Sequence, residues 1–256
     1  MELVFLGTGG GRVNLIRQVR RTGGFRINSK SANIHVDPGP GALLESIALR
    51  QNPLTLNAII VTHNHIDHFS DAMVLMEGMT NYGLKKQGIL IGSVNALEGE
   101  GDDRGIHRYH QSKAEEVYVA KPGGSRTFKT ATGSFDFSAF SLEHDEPTAF
   151  GFKLTMDGVV LGYISDTTYL ESLGKDFSGC DCLIINCLKP EDDPYKGHLK
   201  TDDVVKIVKE AKPKTCIITH FGLKMLRVGP AKEAERIQKE SGVKTIAARD
   251  GMKLIF

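Results

Sequence analysis

Short β-rich apolar runs alternate with amphipathic stretches along the chain, and no linker interrupts the pattern. Residues 2–6, 32–36, 58–62, 88–91, 116–120 and 134–141 read as strands. Residues 150–155 and 159–164 read as two more, joined by Met156-Asp157-Gly158, in which Asp-Gly is a strong hairpin signal. The spans 43–50, 71–79, 204–211 and 232–241 read as helices. Strands over 182–186 and 215–219, with two short terminal ones, complete the series. Strands and helices in both halves predict one layered α/β domain over residues 1–256. Pro122-Gly123-Gly124 and the Pro-Glu-Asp-Asp-Pro run at 190–194 read as loops too short to separate domains. The chain has no fixed-period repeat and no low-complexity tract.

One segment is hard to explain as packing. Directly after the apolar run 58–61 comes Thr62-His63-Asn64-His65-Ile66-Asp67-His68, three histidines and an aspartate within six residues. His63 and His65 lie two apart, so in extended chain both rings face one side. Asp67 and His68 follow where the chain turns, and they can address a second point a few ångströms away. Imidazole nitrogen and carboxylate oxygen suit zinc, and they also hold iron or manganese. A single histidine here would be read as structural; the cluster is read as a metal site.

His63-x-His65-x-Asp67-His68 resembles the H-x-H-x-D-H signature of the metallo-β-lactamase superfamily. Further matches follow in order: His144 in Leu142-Glu143-His144-Asp145, Asp166 in Ile164-Ser165-Asp166-Thr167, and His220 in Ile218-Thr219-His220-Phe221. Each lies just past an apolar strand. The resemblance covers effectively the whole chain, from Leu3-Val4-Phe5-Leu6-Gly7-Thr8-Gly9 to the C-terminal strands. It implies the four-layer αββα sandwich, two mixed β-sheets flanked by helices, with a metal centre at one edge. It also implies two divalent ions, zinc foremost, with manganese or iron as alternatives. One would use His63, His65 and His144, the other Asp67, His68 and His220, with Asp166 bridging. Two such ions about 3.5–4 Å apart share a water, lower its pKa from about 15.7 toward 7, and stabilise charge on substrate oxygens. Hydrolysis then needs no serine or cysteine nucleophile.

His198, in Gly197-His198-Leu199-Lys200-Thr201, resembles the histidine of ribonuclease Z and related phosphodiesterases, whose H-x-T-like motif begins a helix at this place. There it gives a proton to the leaving oxygen or stabilises charge at the scissile phosphate. Without the resemblance it is a loop histidine. Asp67 and His198 are therefore the residues assigned to catalysis. Thr201 reads as the helix N-cap, with Asp202 and Asp203 in the first turn. Asp37, in Val36-Asp37-Pro38-Gly39, resembles the family's D-x-G loop; it either orients a ligand histidine or forms a turn. His35 is expected to pack within its strand, and His107 and His110 receive no role.

Two departures narrow the function. Ribonuclease Z usually carries a long arm that grips transfer RNA between its equivalents of His144 and Asp166, whereas 21 residues fill that interval here. The cyclic-phosphodiesterase relatives share the short spacing, but the extra cysteine–histidine zinc ligands they often carry have no counterpart. The reading is a ribonuclease Z-like metal-dependent hydrolase acting on a phosphodiester, in nucleic acid or in a cyclic or small molecule. The alternatives are a hydrolase of a lactone, thioester or amide on the same scaffold, an iron oxidoreductase, or a metal-stabilised binding protein.

Charge and cysteine content refine this picture. Lys+Arg number 32 and Asp+Glu 31, a formal charge of +1, which removes the simplest argument for a general nucleic-acid coat. Residues 1–36 nevertheless carry six basic residues against one acidic, and residues 196–256 carry 14 against 7, around an acidic middle. These segments are either ordinary solvated surface or a basic surface facing an anionic substrate. In Gly7-Thr8-Gly9-Gly10-Gly11, Arg12 stands where a dinucleotide fingerprint wants glycine, so the run is read as a turn aiming backbone N–H groups at an anion. Cys180, Cys182, Cys187 and Cys216 are read as buried cytosolic thiols, the first two on one face of a strand. No apolar run nears the roughly 20 residues of a membrane span, and Glu2 is wrong for a signal peptide, so the expected location is cytoplasmic, with no membrane partner. Relatives are often dimers, so a homodimer is allowed, although no surface stripe marks an interface.

Overall fold

The computed structural model describes residues 1–99, 104–191 and 196–256. Six N-terminal strands pair in chain order: β1 (Glu2–Phe5), β2 (Phe25–Asn28), β3 (Asn33–Val36), β4 (Ala58–Val61), β5 (Ile89–Gly92) and β6 (Glu116–Val119). The next seven form a second sheet: β7 (Ser125–Lys129), β8 (Ser134–Ser141), β9 (Phe150–Met156), β10 (Val159–Ile164), β11 (Cys182–Asn186), β12 (Thr215–Thr219) and β13 (Thr245–Ala247). β14 (Lys253–Ile255) returns to lie antiparallel to β1 and brings the first sheet to seven strands. In each sheet three antiparallel pairings lead into three parallel ones.

The parallel strands are near-continuous apolar runs because both of their faces are covered. Ile34, Ile60, Ile91, Ile184 and Ile217 point into the core between the sheets. Their neighbours Ile59, Val61 and Leu90 face helices outside the first sheet, and Leu183, Ile185 and Ile218 face helices outside the second. The helix Ala72–Met79 buries Ala72, Leu75, Met76 and Met79, a spacing that lays one stripe on the first sheet. The helix Thr201–Ala211 does the same on the second with Val204, Val205, Val208 and Ala211. Two mixed sheets flanked by helices therefore make the expected αββα sandwich. Aromatic rings fill its centre: Phe137 stacks on Phe152 at 5.6 Å, and Tyr163 meets Phe152 at 5.5 Å and Phe25 edge-on at 5.1 Å. Among the described residues no helix is long and apolar enough to cross a membrane.

Several local expectations change. β2 and β7 emerge as strands: Arg26 breaks the apolar look of β2, and β7 buries only Phe128. Helices over Gly11–Arg17 and Leu223–Val228 also appear. Thr201 is not the N-cap; it is buried in the first turn, and the Asp203 carboxylate accepts from the backbone N–H of Lys200, which caps the helix. Cys180 and Cys182 do not share a face, because Cys180 precedes β11 and packs with the outer helices while Cys182 enters the inter-sheet core. All four cysteines are buried and free. The hairpin turn is as expected, with Asp157 at φ 51° and Gly158 at φ 75°. Of the loop expected at 190–194, residues 192–194 lie outside the described residues.

Candidate metal centre

Parallel strands deliver the polar residues to one edge of the sandwich. Asp37 follows β3, His63 follows β4, Asp166 follows β10, Asn186 ends β11 and His220 follows β12. All sit at C-terminal strand ends, the edge where open α/β sheets place their ligands. His65, Asp67 and His68 lie at the start of the short helix Ile66–Phe69. His144 comes from the segment after β8, and His198 from the loop before Thr201–Ala211.

Four overlapping donor groups result among the described residues, including the two expected; the others are His63, His68 and Asp166, and His144, Asp166 and His198. The ligand atoms of His63, His65 and His144 lie within 4.8 Å of one another, as do those of Asp67, His68 and His220. Asp166 stands between the groups: its Oδ2 is 3.8 Å from His63 Nε2 and 3.3 Å from His68 Nε2, and its Oδ1 is 3.2 Å from His220 Nδ1. His198 Nδ1 lies 3.7 Å from Asp166 Oδ2, and its ring faces that of His220 at 5.9 Å. All eight residues singled out from the sequence thus meet at one place.

The outer contacts hold this arrangement still. Asp37 Oδ1 accepts from the Thr62 N–H at 2.8 Å; its Oδ2 accepts from the Thr62 hydroxyl at 2.8 Å and the Tyr163 hydroxyl at 3.0 Å, and lies 2.9 Å from His68 Nδ1. Asn186 Nδ2 donates to Asp166 Oδ1 at 2.8 Å. His144 Nδ1 donates to the Gly197 carbonyl at 2.9 Å, which leaves Nε2 free to face the centre. Asp37 therefore takes the orienting role, and its φ of 49° makes it a turn residue as well. Tyr163, Asn186 and Thr62 were not singled out from the sequence; the polar ends of the apolar runs 182–186 and 58–62 were the available signal for two of them.

A match to the β-lactamase superfamily domain covers residues 32–221, most of the chain and all of these positions. The chain belongs to the metallo-β-lactamase superfamily. It is 38% identical over 257 residues to the uncharacterized protein MJ1374 of Methanocaldococcus jannaschii, covering 99% of this chain and 94% of that one. Solved structures share the fold. The metallo-β-lactamase fold protein YhfI of Bacillus subtilis superposes with a TM-score of 0.78 at 18% identity, covering 99% and 98% of the two chains. Zn(2+)-bound PqqB of Methylobacterium extorquens gives 0.74 at 16% identity, with full coverage of both chains (100% each). The short form of human tRNase Z gives 0.73 at 18%, covering 100% and 99%. The protein thus has the hydrolase fold of a metal-dependent superfamily.

The residues present suit the metals of that superfamily. Zinc bonds of about 2.0–2.2 Å at tetrahedral angles separate neighbouring ligand atoms by about 3.3 Å. Here His65 Nδ1 and His144 Nε2 are 3.1 Å apart, His68 Nε2 and His220 Nε2 3.1 Å, and His220 Nε2 and Asp67 Oδ2 3.4 Å. The buried His63 Nε2 and His220 Nδ1 face Asp166 without making a hydrogen bond, a costly state unless an ion takes up their lone pairs. Charge points the same way. Burial, with His68 next in effect, holds His63 well below its ordinary pKa, leaving it neutral and able to donate a lone pair. Burial opposes charge on Asp166, yet His220, His198 and His68 outweigh it and hold the carboxyl well below the usual range. Burial likewise opposes charge on His68, but Asp166, Asp37 and Asp67 push it well upward, a mark of the negative charge gathered around this ring.

Close approach explains Gly10, and the run 7–11 does not play its expected role. The backbone N–H groups of Gly7, Thr8, Gly9 and Gly10 are used within the protein, by Gly24 O, Asp250 Oδ1, Arg21 O and Phe221 O, so these four are not turned toward a substrate anion. A Cβ on Gly10 would lie 2.2 Å from His220 Nδ1, so the glycine makes room for the ligand ring. The N-terminal basic residues are also not all surface. Arg26 is buried against the Gln51 and Asn52 carbonyls and the Thr55 hydroxyl, and Arg21 pairs with Glu45 at 2.9 Å.

Proposed function

We propose that the protein is a dinuclear metal-dependent phosphodiesterase. His63, His65 and His144 would hold one divalent ion and Asp67, His68 and His220 the other, with Asp166 shared. Bound divalent ions supply an acidified water as nucleophile and positive charge for the developing oxyanion. The observation that carries the reading is the convergence of both donor groups on Asp166, with His198 beside the same carboxylate. All-nitrogen and oxygen donors at tetrahedral spacing favour zinc over manganese or iron.

The chain's own residues then divide the work. Asp37 fixes the His68 ring and Asn186 fixes Asp166, so neither must reorganise during turnover. Asp67 combines ligation with orientation of the nucleophile. His198 is partly exposed, with 17% of its side chain accessible, and can meet a substrate that the buried ligands cannot reach. It delivers a proton to the leaving oxygen. That role, together with likeness to a tRNase Z fold, favours a phosphodiester over a lactone, thioester or amide. Arg12 and Arg17 are exposed on the helix that starts beside Gly10 and His220, a suitable flank for an anionic substrate. The 150–164 interval is a plain hairpin with no arm for transfer RNA, so small or cyclic phosphodiesters and short nucleic acid are the favoured class. Four buried thiols support a cytoplasmic location, and the pairing of β14 with β1 supports a single domain.

A screen of the metal-loaded protein against cyclic nucleotides, RNA, lactones and thioesters tests the choice of bond. Cleavage of a phosphodiester is expected. His198→Ala should lower kcat by about 10²–10⁴-fold with metal content unchanged. Cleavage of lactones or thioesters alone overturns the phosphodiesterase reading, and loss of metal in His198→Ala overturns the role given to His198.

A further inference from the structure

Asp145 stands next to the first donor group and is used by nothing described so far. Its Oδ1 lies 3.0 Å from His144 Nε2 and 3.5 Å from His65 Nε2. His144 Nδ1 gives its proton to the Gly197 carbonyl, so Nε2 carries a lone pair. That bare nitrogen and the Asp145 oxygen 3.0 Å away are two acceptors in contact, and His65 Nδ1 lies 3.1 Å from the same nitrogen. Acceptors repel one another unless a cation stands among them. The 3.0 Å from Asp145 Oδ1 to His144 Nε2 and the 3.1 Å from there to His65 Nδ1 also match neighbouring ligands on one ion, about 3.3 Å apart. The unpaired, fully buried His63 Nε2 belongs to the same group.

The geometry points to Asp145 as a further protein ligand of the ion held by His63, His65 and His144. This inference rests on the dinuclear reading above and adds a carboxylate to it. Three imidazoles are neutral donors, so a carboxylate gives this ion a negative ligand of its own besides the shared Asp166. Asp145 is also the solvent-side donor: 64% of its side chain is accessible, against 33% for His65 and 1% for His144.

Cobalt(II) titration of the apo-protein, followed by its visible absorption, tests this without any substrate. Wild type is expected to bind two equivalents. Asp145→Asn should weaken one equivalent by about tenfold or more and shift its absorption bands, since an amide oxygen is a poor ligand. The amide oxygen can still accept from His65 Nε2, which lies 3.5 Å from the carboxylate, so a purely orienting role would survive this change. Glu143→Gln removes a neighbouring exposed charge and should leave both equivalents unchanged. An Asp145→Asn protein that binds cobalt as wild type does overturns the assignment. So does a Glu143→Gln protein weakened equally, which would trace the effect to net charge. If wild type itself takes up no cobalt, the dinuclear reading falls, and the Asp145 assignment with it.

Discussion

His220 holds its backbone at φ 63°, a conformation that costs a non-glycine residue free energy and that the surroundings must enforce. Enforcement comes from both sides: the Gly10 N–H donates to the Phe221 carbonyl at 3.2 Å, and the Phe221 N–H to the Thr8 carbonyl at 2.8 Å. Gly10→Ala would drive a methyl group into the His220 ring. The expected outcome is a loss of about 1–3 kcal/mol in denaturant unfolding with weaker binding of the ion assigned to His220; unchanged metal affinity would show that the ring has room to shift. The metal-centre residues themselves were legible in the sequence, because H-x-H-x-D-H concentrates them and His144, Asp166 and His220 each follow an apolar run. Asp145, Tyr163 and Asn186 were not legible as site residues. Tyr163 and Asn186 take their meaning from Asp37 and Asp166, twenty or more positions away, and no local spacing records such contacts; Asp145 touches its neighbour His144, but only the fold shows where that contact points.

At the scale of elements, β2 and β3 show how a strand buries polar side chains. Arg26 and His35 are register partners on the two strands, both buried on the face away from the inter-sheet core. His35 Nε2 donates to the Gly23 carbonyl at 2.8 Å, and burial lowers its pKa to about 3, with the nearby Arg26 guanidinium adding to the effect. The folded protein therefore keeps His35 neutral while the unfolded chain protonates it at its ordinary value of about 6.5. Stability from this residue is complete above pH 6.5 and is lost as pH falls from there toward 3, by about 1.4 kcal/mol per unit. His35→Gln, which can still donate to the Gly23 carbonyl, should flatten the acid side of the stability profile in urea titrations between pH 7 and 5; an unaltered slope would contradict this account. The same buried arginine explains why β2 escaped the sequence pattern, since Arg26 reads as a surface position. β7 escaped for the opposite reason: it is an edge strand with one buried residue and no alternation to detect.

For the whole molecule, the sandwich turns hydrophobic pattern into chemistry. Alternate residues of the parallel strands fill three cores, one between the sheets and one outside each, and where those strands stop, their next residues collect at one edge as imidazoles and carboxylates. The layered architecture was readable because doubly covered strands leave unbroken apolar runs. The glycine turn was misread because a close approach to His220 leaves the same sequence trace as an anion-binding loop. Near-neutral net charge hides an edge where carboxylates and histidines crowd together, an arrangement that two divalent ions would balance. Hydrolysis of bis(p-nitrophenyl) phosphate, followed while zinc is added stepwise to the metal-free protein, tests this most directly. Activity should be negligible at zero equivalents, rise until two ions are bound per chain, and disappear on chelation. A protein that carries two ions per chain and leaves the phosphodiester intact, or that cleaves it equally well without metal, would contradict the account.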